Sequence, residues 1–132
     1  MLRIPTANEF EEYSERAYVL ALDPSRSSFP SYADGIKTKE DFLAIAKRGF
    51  ESENEEIYIF EHGGEMRGWI HLYVMKENKY ISLEAFETDG FEKEQFAEFV
   101  ALLKEKYSGY EVNAGFPSQN ERAVSAAIEN GF

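Results

Sequence analysis

Hydrophobic residues recur along the chain with a helical period in some segments and a strand period in others. Apolar positions three and four apart predict helices after Thr6, after Thr38 and from Glu92 to Tyr107. Thr6 followed by Glu9 is a capping-box pattern, which is typical of a helix start. Apolar runs bounded by glycine or polar turns predict strands. These strands span residues 2–4, 57–60, 66–75, 80–86 and 110–116.

The order of these elements predicts a single α/β domain over residues 1–132. Residues 57–86 read as an antiparallel meander. Strand 80–86, helix 92–107 and strand 110–116 form a βαβ unit, so we expect two parallel strands joined by a right-handed crossover. The sequence therefore predicts a mixed, mostly antiparallel sheet with helices on both faces.

The last thirteen residues predict a helix that begins at the cap Asn120 and ends at Gly131. Phe132 then stands where a further strand would begin. We therefore expect a domain cut before its final strands, either an experimental truncation or part of a larger chain. An open edge beside strand 110–116 would expose backbone groups, which favours a homodimer through that edge.

Composition and charge narrow the classes of function. The chain has no cysteine, which excludes disulfides, thiol catalysis and cysteine-ligated zinc. Its net charge of −11 disfavours nucleic acid and anionic membranes and favours cationic partners. No long apolar run or signal-peptide pattern occurs, so we expect a cytoplasmic protein. The two histidines have no metal-ligand spacing, and no metal is predicted.

The element order, together with Asn120, Ala123 and the pair Gly131-Phe132 at their spacing, resembles the GNAT superfamily of N-acetyltransferases. The opening residues 2–10 are similar to the family's usual start. The resemblance implies that acetyl-CoA lies between two splayed parallel strands, 80–86 and 110–116, and donates acetyl to an amine. It also implies Glu84 as general base. The implied cofactor contacts are Phe86, Glu87, Gly90, Phe91 and Asn120.

The segment before helix 92–107 departs from the family's pyrophosphate loop, Gln/Arg-x-x-Gly-x-Gly/Ala. Gly90 is retained, but four carboxylates surround it, at positions 87, 89, 92 and 94. Carboxylates at a helix N-terminus stabilise the helix and occupy the positive end that a pyrophosphate needs. In addition, Ala127 stands where the family often has a proton-donating tyrosine. These departures indicate a degenerate module, for example the N-terminal half of a tandem protein.

Aromatic and acidic residues in the long loop 23–37 and on strand 66–75 suggest a pocket for a cationic amine. Its candidate residues are Phe29, Tyr32, Asp34, Trp69, His71 and Tyr73. Purely structural roles are the alternative. The aromatic residues of the loop would then attach the loop to the core, and His71 would be a packed, hydrogen-bonded residue. Strict alternation places Glu84 on the face opposite to Leu83 and Ala85, where it is either a base or an exposed carboxylate.

Three hypotheses follow from the sequence. The chain is a working acetyltransferase, a GNAT-like module without cofactor binding that serves a larger acetyltransferase, or a non-enzymatic binding module for a small cationic ligand. The acidic loop favours the second and third hypotheses.

Overall fold

The computed structural model describes residues 1–22 and 38–113. The elements follow the predicted order. They are β1 (Leu2–Arg3), α1 (Ala7–Ala21), α2 (Lys39–Glu51), β2 (Glu55–His62), β3 (Glu65–Met75), β4 (Tyr80–Thr88), α3 (Glu92–Lys106) and β5 (Glu111–Asn113). The predicted helix at 120–130 and the end of the last predicted strand lie outside the described residues.

Both N-terminal helices start at the predicted threonine caps. The hydroxyl of Thr6 accepts the backbone N–H of Glu9, and the Glu9 carboxylate accepts the backbone N–H of Thr6. This reciprocal pair is the capping box that the sequence predicts. Thr38 caps α2 by accepting the backbone N–H of Asp41 at 3.1 Å.

The five strands form one sheet in the order β1-β2-β3-β4-β5. The pairs up to β3–β4 are antiparallel, and β4 pairs with β5 in parallel, with Tyr80 opposite Glu111 and Ser82 opposite Asn113. The parallel pair with α3 as its crossover confirms the predicted βαβ unit. The divergence of the two strands beyond Asn113 stays a prediction, because the following residues are outside the described range.

Helices cover both faces of the sheet, as the sequence predicts. On one face, Phe96, Phe99 and Leu103 of α3 pack against strand residues that include Ile70 and Phe86. On the other face, α1 and α2 pack against the sheet. The buried residues there are Phe10, Ala17, Ala21, Phe42, Ala46, Ile57, Ile59, Met66, Trp69 and Ala85.

β4 contains one residue more than β3 over their paired stretch. His71 lies opposite Ala85, but the next residue, Leu72, lies opposite Leu83, so Glu84 is the additional residue of a β-bulge. A bulge reverses the alternation of side chains beyond it. Leu83 accordingly packs on the α3 face and Ala85 on the α1–α2 face. The prediction from strict alternation, that Leu83 and Ala85 share a face, is wrong for this reason.

Gly68 of β3 is a close-approach position beneath α3. A Cβ at this position would lie 1.8 Å from Oε1 of Gln95. The Gln95 side chain is fully buried, and its Nε2 donates to the backbone carbonyl of Glu87 at 3.1 Å. This hydrogen bond holds the amide in place. If the Gln95 side chain moved away, the buried carbonyl of Glu87 would lose the hydrogen bond from Gln95.

We expect Gly68→Ala to destabilise the fold by about 1–3 kcal/mol, since the new methyl overlaps the Gln95 amide. Urea unfolding measures the loss, and Gly64→Ala at an open, positive-φ turn is the comparison for a purely backbone cost. In a Gln95→Ala background the cost of Gly68→Ala should fall by about 1 kcal/mol or more. Additive effects of the two substitutions would contradict the packing assigned to this pair.

Candidate functional site

The connection from β4 to α3 is where the resemblance places a cofactor diphosphate. Gly90 has φ +84°, and Phe91 starts the helix without a side-chain cap. The Phe91 N–H donates to the hydroxyl of Thr88 at 3.2 Å, and the Phe91 carbonyl accepts the N–H of Gln95 at 2.8 Å. A positive-φ glycine before a helix N-terminus is compatible with an anion site, because a glycine permits close approach and the helix N-terminus carries partial positive charge.

The side chains around this turn are mostly acidic. Glu87 is fully buried, and Glu92, in the first turn of α3, is 3% exposed. Among the described residues near this turn, Arg67 is a cation that is already engaged. Its guanidinium contacts Asp89 at 3.2 Å and Glu65 at 2.7 Å.

A diphosphate does not fit this set of residues. It would place at least two further negative charges near the buried carboxylates of Glu87 and Glu92 at the positive N-terminus of α3. Lys93 is the remaining cation in the first turn of α3, and its position is exposed. The backbone of the turn is therefore suited to an anion, but its side chains are not.

A buried group of polar residues lies on the opposite face of the sheet, beneath the last turn of α2. His71 Nε2 and Glu55 Oε1 are 2.8 Å apart, and both side chains are at most 4% exposed. Arg48 of α2 donates to the same Oε1 at 3.0 Å, although most of its side chain is exposed. The contact confirms the alternative in which His71 is a packed, hydrogen-bonded residue.

The charge states of this group follow from its surroundings. Burial lowers the pKa of His71 below its ordinary value, and the hydrogen bond that His71 donates to Glu55 only partly opposes this effect. Burial by itself raises the pKa of Glu55, but the hydrogen bonds from Arg48 and His71 outweigh it and the pKa is lowered. At neutral pH, His71 is therefore neutral and donates its Nε2–H to an ionised Glu55 carboxylate.

The aromatic residues proposed for cofactor and substrate binding lie mostly in the core. Trp69 is fully buried, with its ring 5.8 Å from that of Phe10. Phe86 is fully buried and stacks on Phe96 at 4.4 Å. Their side chains fill the two hydrophobic clusters, so in the described residues they support the site without lining a surface.

The other predicted site residues are distributed as follows. Phe91 is half-buried, with its ring 4.5 Å from that of His62. Tyr73 is half-buried and lies opposite Glu55 in the sheet. Glu84 is half-buried at the bulge, and the role of base remains a prediction for it. The predicted residues outside the described ranges are Phe29, Tyr32, Asp34 and Asn120.

Sequence reasoning missed Glu55, Arg48 and Gln95. Glu55 lies sixteen residues from His71, and only the register of β2 on β3 brings the two together. From the sequence, Gln95 is expected to be a polar, solvent-facing helix residue. Its side chain is buried because Gly68, across the contact between α3 and β3, has no side chain in the same space. Neither pairing leaves a local pattern in the chain.

Two kinds of feature are absent from residues 1–22 and 38–113, a membrane-spanning helix and a metal-ligand cluster. None of the helices described there has the length and apolar character needed to cross a membrane. Within the same ranges, no three histidine, aspartate or glutamate side chains are grouped so that they could hold a metal ion.

Comparison with solved structures shows a fold shared with acetyltransferases. A spermidine N-acetyltransferase chimera of SpeG from Vibrio cholerae and hSSAT is similar over 99% of this chain and 78% of its own, with TM-score 0.66 and 10% identity. The microcin C7 self-immunity acetyltransferase MccE, solved with acetyl-CoA and AMP, is similar over 99% and 77%, with TM-score 0.66 and 14% identity.

A GNAT family acetyltransferase from Staphylococcus aureus, described as putative, is similar over 85% of this chain and 97% of its own, with TM-score 0.57 and 20% identity. No family model matches the chain, and no curated protein matches it in sequence. The chain therefore has the fold of the GNAT superfamily, as its sequence pattern predicts.

We expect Glu55→Gln to destabilise the protein by about 1.5–3 kcal/mol at neutral pH, because two charge-assisted hydrogen bonds to a buried carboxylate are weakened. Urea unfolding followed by Trp69 fluorescence measures the change. Glu53→Gln, two residues earlier at an exposed position, is the matched control and should change stability little. Equal effects of the two substitutions would show that the buried contact adds no stability.

Proposed function

We propose that this chain is an acetyltransferase-fold module that does not itself use acetyl-CoA and that serves as a non-catalytic part of a larger acetyltransferase. The observation that carries the proposal is the buried carboxylate of Glu92 at the start of α3, where a diphosphate would need a free positive helix end. Solved structures of the same fold include one with acetyl-CoA bound. Acetyl-CoA is therefore the ligand whose fit to this chain has to be considered.

The electrostatics of the β4–α3 turn support this proposal. A carboxylate in the first turn of a helix contributes about 0.3–1 kcal/mol to the helix. The same carboxylate repels an incoming phosphate group, so helix stability and diphosphate binding compete for one position. Arg67 cannot relieve the repulsion while Asp89 and Glu65 hold its guanidinium.

The partner in this proposal is the remainder of a larger acetyltransferase chain, with contact through the β5 end of the sheet as one arrangement. β5 is the last strand in the sheet order of the described residues. Strand edges carry backbone donors and acceptors that another strand can pair with. A second copy of the chain is the alternative partner at this edge, and light scattering distinguishes a homodimer from a monomer.

A binding module for a small cationic ligand is the second candidate function. The β4–α3 turn favours it because carboxylates outnumber cations there. The acidic residues are Glu65, Glu87, Asp89, Glu92 and Glu94, and the basic ones are Arg67 and Lys93. Under this function, a polyamine should raise the melting temperature of the protein in a dose-dependent manner. The absence of any shift would count against it.

We expect isothermal titration calorimetry to detect no binding of acetyl-CoA or CoA up to about 1 mM, because the turn repels the diphosphate. The double variant Glu92→Gln/Glu94→Gln should bind more tightly than wild type, since it removes two negative charges from the positive end of α3. Glu105→Gln, an exposed carboxylate near the other end of the same helix, is the matched control and should not bind.

A micromolar dissociation constant for acetyl-CoA with the wild-type chain would overturn the proposal. In that case the catalytic hypothesis applies, and acetyl transfer to an amine should be lost in Glu84→Gln. Retained transfer in that variant would remove Glu84 as the base.

A further inference from the structure

We propose that the contact between His71 and Glu55 is an acid-sensitive latch that holds the last turn of α2 on the sheet. The latch consists of Arg48, Gly49, Glu55 and His71. It lies on the α1–α2 face of the sheet, away from the β4–α3 turn, and does not depend on whether the chain binds a cofactor.

The two side-chain partners of Glu55 meet at a single oxygen. Arg48 and His71 both contact Oε1, at 3.0 Å and 2.8 Å. With His71 neutral, one negative charge faces one positive charge, and the group is balanced. Protonation of His71 would add a second positive charge a few ångströms from Arg48, in a space where charge is costly.

The imidazole has no room in which to turn away. A Cβ at Gly49 would lie 2.3 Å from His71 Nε2 and 3.3 Å from Glu55 Oε1, so the backbone of α2 rests directly on the ring. His71 itself is held in the middle of β3, between Ile57 of β2 and Ala85 of β4. Since the sheet is paired on both sides of β3, the element that can yield is the last turn of α2.

Among the described residues, the charged groups near His71 lie on β2 and α2. Glu55 faces it from β2, and Arg48 faces it from α2. β4 presents the apolar Ala85 opposite His71, with Glu84 next along the strand at the bulge. α1 buries mainly small and apolar residues on this face, such as Ala17 and Ala21. Arg48 is therefore the positive charge that disfavours a second proton on His71.

Release of the last α2 turn would change the surface between α1 and α2. Phe50 follows Gly49 directly and stacks on Phe10 of α1 with ring centroids 4.3 Å apart. The two rings line a groove of about 510 Å³, whose other lining residues include Ser14 and Leu43. A turn that lifts from His71 carries Phe50 away from Phe10 and widens this groove.

The direction of the pH effect follows from proton linkage. The lowered pKa of His71 means that the folded protein takes up this proton less readily than the unfolded chain, where the ordinary value is 6.5. The stabilisation from neutral His71 is therefore complete above that value and is lost as the pH falls below it. The ordinary pKa of a histidine side chain lies between pH 7.5 and about 5.5, and the ordinary pKa values of carboxylates lie below this range.

Amide hydrogen exchange of the whole chain, with NMR observation of the imidazole rings, tests the latch. After correction for the intrinsic rate, amides in residues 47–51 should open about tenfold more often at pH 5.5 than at pH 7.5, while those of α3 change little. The imidazole spectrum should show the Nε2–H tautomer of His71 at pH 7.5 and a titration midpoint for His71 below the ordinary value of 6.5.

Three variants separate the latch from general acid effects. The chain has two histidines, and His62→Gln removes the exposed one, so the response should persist. His71→Gln removes the titrating group and retains a side-chain donor, so the response should disappear. Arg48→Met removes the second cation, so the midpoint of His71 should rise and the response of residues 47–51 should shrink.

Equal exchange of residues 47–51 at both pH values would overturn the proposal. So would a response that survives in His71→Gln or is unchanged in Arg48→Met. If His71→Gln does not fold, the imidazole titration of the wild-type chain and the Arg48→Met comparison decide the question on their own.

Discussion

The additional residue in β4 determines how the two faces of the sheet are related. Before the bulge, β4 points Leu83 at α3, and after it Ala85 points at α1 and α2. A strand of strict alternation would send Leu83 and Ala85 to the same helix layer, and one layer would lose a core side chain. The bulge thus lets a single strand supply apolar residues to both clusters while it remains paired to β3.

Under the proposed function, the fold of this chain is kept while its chemistry differs, and the difference lies at the end of that same strand. In this chain β4 pairs with β5 in parallel, and the overall fold is similar to that of solved acetyltransferases. The turn that follows β4 keeps a positive-φ glycine, Gly90, but its side chains are acidic and partly buried. A backbone frame is stabilised by hydrogen bonds and core packing, whereas an anion site depends on a few charges. The frame can therefore persist when the site has changed.

Local signals in the sequence predicted local structure well. Thr6 and Glu9 formed the expected capping box, and the βαβ pattern gave the correct strand direction for β4 and β5. The bulge at Glu84 was not predicted, because an additional residue is defined only relative to the partner strand. The contact of Glu55 with His71 was missed for the same reason, since register and helix docking decide it. The pairing of Gly68 with Gln95 likewise depends on the distance between α3 and the sheet.

Gly49 carries a consequence for how sequences with this arrangement can diverge. Because Gly49 has no side chain, the imidazole of His71, twenty-two residues further along the chain, occupies the space that a Cβ at position 49 would fill. A larger residue at position 49 is compatible with the fold only if position 71 becomes smaller, and a smaller residue there leaves Glu55 with one donor fewer. The three positions therefore form a unit of covariation: substitutions at any one of them should be accepted in evolution mainly together with changes at the others.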